Sequence, residues 1–177
     1  NWSNGGPKTY TLTVGEEKID LNERNLGSSD ATLVASWMQR PEVSAVINSL
    51  ALGSNPIGDE AMIQLLDVLK DVSLTSFDIS KTNCGVSTAT KLAELLAEDS
   101  KFKAAVKKVA LSGNALTGGR PLFNLKTRKF DIQTDGEDIS GVSVLFPSMT
   151  QVTELDVSNC GLGPTSMPEL AKLVSDA

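Results

Sequence analysis

A short pattern of apolar residues returns along this chain at intervals of roughly thirty residues, a periodicity that points to stacked repeats. Its clearest copy is VKKVALSGNAL, residues 106–116, which sets Val106, Val109, Leu111 and Leu116 in the order V-x-x-V-x-L-x-x-N-x-L with an amide at Asn114. INSLALGSNPI fits the same register through Ile47, Leu50, Leu52, Asn55 and Ile57, and VTELDVSNCGL through Val152, Leu155, Val157, Cys160 and Leu162. LTSFDISKTNCGV supplies Leu74, Phe77 and Ile79 and is read with one extra residue before Cys84 and Val86. A degenerate copy opens the series at Ile19, Leu21 and Leu26, with Glu16 and Arg24 where the pattern wants an apolar residue and an amide.

Alternation of apolar and polar residues inside each copy predicts a short strand with one buried face. Asn55 and Asn114 stand where the chain turns off that strand, and a side-chain amide there satisfies backbone groups that the turn leaves unpaired. Cys160, and Cys84 once the extra residue is allowed for, fall in the same slot. Both read as structural thiols, because neither has a second Cys or any His nearby to make a redox or metal site.

The pattern L-x-x-L-x-L-x-x-N/C-x-L resembles the leucine-rich repeat. The first three intervals, 31, 27 and 32 residues, lie near or above the upper end of the roughly 20–29 usual for it, which suits a full helix on each return and resembles the ribonuclease-inhibitor-like subfamily, and the fourth is 46. The resemblance implies an α/β solenoid, a partial horseshoe with parallel strands on the concave face and helices on the convex face, in which neighbouring units bury one another's apolar residues. Helix signals fall in the expected places. Ser28-Ser29-Asp30 offers an N-cap before Leu33, Val34, Trp37 and Met38, and Asp59 one before Met62, Leu65, Leu66 and Leu69. Ser87 or Thr88 opens the run with Leu92, Leu95 and Leu96, and Ser166 and Glu169 have capping-box spacing before Leu170 and Leu173.

The chain is read as one domain. Residues 1–18 form a polar tail and a capping strand, in which Tyr10, Leu12 and Val14 share a face and Gly15-Glu16-Glu17 turns back into KIDL, giving an N-terminal β-hairpin cap. Asn1-Trp2-Ser3 matches a glycosylation sequon, a three-residue match that chance also explains. About five repeats fill residues 19–177. Residues 118–138 depart from the pattern and are read as an insertion rather than a degenerate unit, since Thr127 and Glu137 stand where another copy wants apolar residues. Leu122, Phe123 and Leu125 before Lys126-Thr127-Arg128-Lys129, with Phe130 and Ile132 after, read as a projecting hairpin with a basic tip; the helical return resumes at Ile139 with Val142, Leu145 and Phe146. The start at Asn1 fits a processed or cut chain, and the last helix ends without a distinct cap, leaving room for further repeats.

Composition narrows function. With no His, Ser-His-Asp and Cys-His catalysis and His-ligated metals are excluded, and no glycine-rich phosphate loop with Lys and Ser/Thr occurs. No cofactor is expected, and no enzyme activity. A net charge of −6 argues against nucleic acid, and no apolar run approaches the roughly 20 residues of a membrane span. Two cysteines in distant copies lean towards a reducing, cytoplasmic setting. The remaining class is a monomeric, non-catalytic module that binds a protein partner. Two surfaces compete for that role. One is the exposed row of the strands, where Asp20, Asp78 and Asp156 would favour a basic partner, although Asp is also a common solubilising residue at this place in such repeats. The other is the 118–138 segment, where Arg120, Phe123, Lys126, Arg128 and Lys129 combine aromatic and basic groups typical of binding hot spots. The repeat architecture also resembles that of the Ran GTPase-activating proteins, which makes GTPase activation the alternative, and a fragment of a longer array is a third reading.

Overall fold

The computed structural model describes residues 8–126, 128–132, 136 and 138–175. In chain order the elements are β1 (Lys18–Asp20), α1 (Ser28–Met38), α2 (Pro41–Ser44), β2 (Ser49–Ala51), α3 (Asp59–Leu69), β3 (Ser76–Asp78) and α4 (Val86–Ala97). They continue with α5 (Lys101–Ala105), β4 (Lys108–Ala110), β5 (Pro121–Asn124), β6 (Lys129–Ile132), α6 (Ser140–Ser148), β7 (Glu154–Asp156) and α7 (Met167–Ser175). β1, β2, β3, β4 and β7 form one parallel sheet in that order, and β5 and β6 pair antiparallel in a separate two-stranded sheet. The molecule is an α/β leucine-rich repeat solenoid. Helices α1, α3, α4, α6 and α7 stack in sequence along the other side.

The core runs between the two layers. Ile19, Leu50, Phe77 and Val109 are register partners across the sheet and are all buried. The helices meet them with Val34, Trp37 and Met38, with Met62, Leu65, Leu66 and Leu69, with Leu92, Leu95 and Leu96, and with Val142, Leu145 and Phe146, all buried. Phe102 of the short α5 packs edge-on against Phe77, ring centroids 5.7 Å apart. Among the helix residues singled out by spacing, Leu33 is 54 % exposed on the outer side of α1, and Leu170 and Leu173 of α7 are only partly buried.

The units are joined by the same hydrogen bonds at each step. After every strand of the parallel sheet comes a residue in the left-handed region: Glu23, Ser54, Lys81, Gly113 and Asn159, with φ of 56°, 58°, 53°, 70° and 50°. The N–H groups of the first four donate to Gly53, Ser80, Ser112 and Ser158 carbonyls of the next unit. Asn55 and Asn114 then bridge neighbours. Asn114 Oδ1 accepts from Thr82 N and Cys84 N at 3.0 Å, while its Nδ2 donates to the Ile79 and Leu111 carbonyls at 2.7 and 2.9 Å. Asn55 repeats the arrangement with Arg24 N, Leu26 N, Leu21 O and Leu52 O. Each amide thereby satisfies four backbone groups, most of them buried, which the turns would strand.

This register corrects the reading of the third unit. Thr82 and Cys84 receive from Asn114 what Arg24 and Leu26 receive from Asn55, so Thr82 occupies the amide slot and Cys84 the last apolar slot, with no extra residue. Thr82 Oγ1 donates to Ile79 O at 2.7 Å, doing within its unit what the amides do in theirs. Cys160 does sit in the amide slot, its Sγ 3.2 Å from Leu111 O. Both thiols are free and buried, and burial pushes each up to about 11, so neither is a nucleophile near neutral pH.

The N-terminal cap also differs from a hairpin. Residues 8–14 form no strand; Lys8 N donates to Arg24 O, and Tyr10 and Leu12 pack on the end of the core. The Tyr10 hydroxyl donates to Asp30 Oδ1 at 2.9 Å. Among the described residues, one part-buried polar anchor and two apolar side chains close this end without a second strand. The sequon at Asn1-Trp2-Ser3 lies outside the described residues.

Helix starts are glycines rather than the Ser and Asp residues that spacing suggested: Gly27, Gly58 and Gly85 are the N-caps of α1, α3 and α4. The acids act around them. Asp30 Oδ2 accepts from Gly27 N, and Asp59 caps the next unit's helix instead of its own, its Oδ1 accepting from Gly85 N and Thr88 N at 2.8 and 3.0 Å. At the end of the array, Ser166 Oγ accepts from Gly163 N at 2.9 Å.

Candidate functional site

The exposed row of the sheet is built by strand register. Asp20, Ala51, Asp78, Ala110 and Asp156 are successive Cα partners, so a carboxylate alternates with a methyl group across five strands. At about 4.8 Å per strand, consecutive Asp residues stand roughly 10 Å apart with an alanine floor between them. Asp78 and Asp156 flank one such notch, part of a shallow cradle of about 340 Å³ that also includes Lys108 and Glu154.

Each Asp also shapes its own turn. Asp20 Oδ1 accepts from Asn22 N at 3.0 Å, Asp78 Oδ1 from Ser80 N and Oγ at 2.8 and 2.6 Å, and Asp156 Oδ1 from Ser158 N at 2.9 Å. These are Asx turns, local bonds that fix the carboxylate and the departing chain together. The Ser158 N–H holds the Asp156 carboxyl below the usual carboxylate range, so its charge persists into mildly acidic solution. The row beside it reads Lys18, Ser49, Ser76, Lys108 and Glu154, with Lys108 Nζ 2.8 Å from Glu154 Oε1. Small residues at Gly53, Ser80, Ser112 and Ser158 keep the surface shallow. An added Cβ at Gly53 would come within 2.9 Å of Asn22 Oδ1 and Ser80 Oγ.

The second surface begins where the fourth unit departs from its neighbours. Leu116 is followed by Thr117 where Leu26, Ile57, Cys84 and Leu162 are followed by Gly27, Gly58, Gly85 and Gly163. Three of those glycines start a helix at once, whereas Thr117 leads into the β5–β6 hairpin and α6 begins only at Ser140. The hairpin base is closed by Asp138 N donating to Thr117 O at 3.2 Å and Gly136 N to Thr117 Oγ1 at 3.3 Å. A Cβ at Gly136 would lie 2.4 Å from Thr117 O and 2.2 Å from Gly119 N, so only glycine fits. β7 pairs directly with β4, and the hairpin stands outside the main sheet.

Arg120, Lys126 and Arg128 are exposed on this segment, as is Leu125 at 84 %. Phe123 and Phe130 are register partners, and Asn124 pairs with Lys129. The side chains of Phe123, Lys129 and Phe130, and the whole of Thr127 and Glu137, lie outside what the structure describes. The register therefore brings Asp20, Asp78 and Asp156 into one row, while Arg120 stands at the base of the β5–β6 hairpin and Lys126 and Arg128 at its turn, outside the main sheet. The Asx turns and the left-handed row are the features that sequence reasoning missed. Gly113 and Asn159, residue types suited to positive φ, were the available signal for the latter.

Among the described residues no helix is long and apolar enough to cross a membrane, and no three His, Cys, Asp or Glu side chains are grouped to hold a metal ion. A family profile described as Leucine Rich repeat matches residues 43–66. Among solved structures, the domain titled Leiomodin-1 Actin-Binding Site 2 (ABS2) is similar to this chain with a TM-score of 0.62 at 10 % identity, over 90 % of this chain and 79 % of that one. No curated protein matches the sequence.

Proposed function

We propose that this chain is a non-catalytic protein-interaction scaffold whose concave face binds a basic partner. The observation that carries the reading is the in-register row Asp20, Ala51, Asp78, Ala110, Asp156, in which three carboxylates are held on short strands of a packed solenoid. Rigid placement spares a partner the cost of ordering the surface, and like charges in a row steer cationic groups to it. A Lys or Arg side chain entering above Ala51 or Ala110 would meet a carboxylate on each side. Return helices of 11 and 12 residues support the ribonuclease-inhibitor-like subfamily, and two buried free thiols suit a reducing, cytoplasmic setting. The fold likeness adds actin to the partners worth assaying but contributes no binding residue.

The test exploits the Asx turns. Replacing Asp20, Asp78 and Asp156 with Asn keeps the Oδ1 acceptor each turn needs and removes only the charge. Affinity capture with the triple variant should lose the partner retained by the parent chain, while a chain with residues 119–136 replaced by a Gly/Ser linker should keep it. Retention by the triple variant together with loss by the linker chain would refute the concave-face assignment.

A further inference from the structure

We propose that, when its partner is absent, the notch between Asp78 and Asp156 holds the basic tip of the β5–β6 hairpin from a second copy of this chain, each copy of a two-fold pair giving its hairpin and taking the other's. The inference rests on the concave-face reading above and names what competes for that site. Its first support is charge segregation. Residues 120–132 carry Arg120, Lys126, Arg128 and Lys129 against one acid, Asp131, a net of +3 in a chain of net −6, which leaves −9 on the rest. Neither side is neutralised within its own molecule. Lys126 and Arg128 at the tip, and Asp20, Asp78 and Asp156 on the strands, make no ion pair among the described residues.

Shape is the second support. Ile132 N–H donates to Asn159 Oδ1 at the hairpin base, beside the turn after β7. Four residues of strand carry the tip roughly 13 Å beyond that point, outside the main sheet. Local bonds hold the tip in one form: Asn124 Oδ1 accepts from Lys126 N at 3.0 Å, and Asn124 O from Arg128 N at 2.8 Å. Leu125 is 84 % exposed there, an apolar side chain beside two cations. Lys126 and Arg128 are two residues apart, at most about 7 Å between Cα atoms, so their long side chains spread to two carboxylates roughly 10 Å apart. Leu125 then covers the methyl floor at Ala110. The cradle of about 340 Å³ accommodates these groups, and Lys108 within it is already paired with Glu154, which leaves Asp78 and Asp156 to face the tip.

Net charge sets the strength. Two chains of −6 repel at long range, but at about 0.15 M salt charges more than about 8 Å apart are screened, whereas pairs in contact are screened much less. Exposed ion pairs contribute little each, so a contact made twice gives a dimer that forms between roughly 10 µM and 1 mM and that a basic partner displaces readily. Tip and notch are both used within the pair, so the assembly closes at two copies instead of growing into a filament.

Sedimentation equilibrium of the full chain tests this. In about 0.15 M salt the mass should climb from 18.7 kDa towards twice that value as concentration rises, and fall back in about 1 M salt. Lys126→Glu with Arg128→Glu, or Asp78→Asn with Asp156→Asn, should each weaken the dimer at least tenfold, with circular dichroism verifying the fold. Mixed together, the two variants should associate again, less tightly than the parent, because one intact tip meets one intact notch. A parent chain that stays monomeric at roughly millimolar concentration, variants that dimerise undiminished, or a mixture that does not associate would each overturn the proposal. So would a monomeric chain that binds phosphatidylserine vesicles and loses them with the two tip substitutions, which would give the tip to a lipid surface. Partner capture is read separately: a monomeric parent whose partner is still lost on replacing the three Asp residues with Asn overturns the dimer and leaves the concave-face reading intact.

Discussion

Single residues carry an uneven share of this fold, and hydrogen-bond count predicts which. Asn114→Ala strands two buried N–H and two carbonyl groups at once, so chemical denaturation should report a loss of about 3 kcal/mol or more. Cys160→Ala, in the equivalent slot with weak sulfur contacts, should cost about 1 kcal/mol. The thiols give a pH signature. Burial raises Cys84 and Cys160 from an ordinary value near 9 to about 11, so the unfolded chain ionises first. Their contribution is complete below pH 9 and falls away as pH rises to 11, on the order of 2 kcal/mol per thiol. Denaturation midpoints should therefore drop between pH 9 and 11 in the parent and drop less in the Cys84→Ala, Cys160→Ala double variant.

Residues also show what could be read in advance. The inward positions were legible because alternation in Leu50-Ala51-Leu52 or Val109-Ala110-Leu111 has one physical meaning on a strand. Thr82 was not, because a hydroxyl can replace part of the amide's work and a nearby Cys mimics the Asn/Cys slot by spacing alone. Glu23 and Lys81 at positive φ were hidden too, since tertiary bonds to Gly53 and Ser112 override their local preference. The Asp row followed from counting along the strands. The Asx turns that fix those carboxylates did not, because they depend on the path of the chain after the strand.

Elements are linked by groups that act across unit boundaries. Asp59 starts in α3 but caps α4, so Asp59→Ala should lower stability by about 1–2 kcal/mol. Amide exchange would show the loosening at Gly85 and Thr88 rather than within α3; fraying of α3 instead would contradict the assignment. The β5–β6 hairpin should behave oppositely. Because β7 pairs with β4 without it, replacing residues 119–136 with a short Gly/Ser linker should change stability by less than about 1 kcal/mol and leave unfolding cooperative. A broad or biphasic transition would mean that the hairpin helps hold the last unit in place.

Across the whole molecule, the two ends of the solenoid differ, and the β5–β6 hairpin sets the fourth unit apart from the others. Tyr10 and Leu12 close the first unit, while Leu155, Val157 and Leu162 leave the last one half-covered. Between them a row of three carboxylates alternating with two alanines crosses the parallel sheet, with one carboxylate oxygen of each Asp committed to a turn and the side chain held at the surface. Recognition by such a face is a property of the array, since no single unit holds more than one member of the row. The measurement that reaches this claim most directly is a titration of the isotope-labelled chain with its captured partner, following amide resonances. Perturbations should cluster at Asp20, Ala51, Asp78, Ala110 and Asp156 and disappear when the three Asp residues become Asn. Perturbations confined to residues 119–136, and unchanged by those substitutions, would contradict the account.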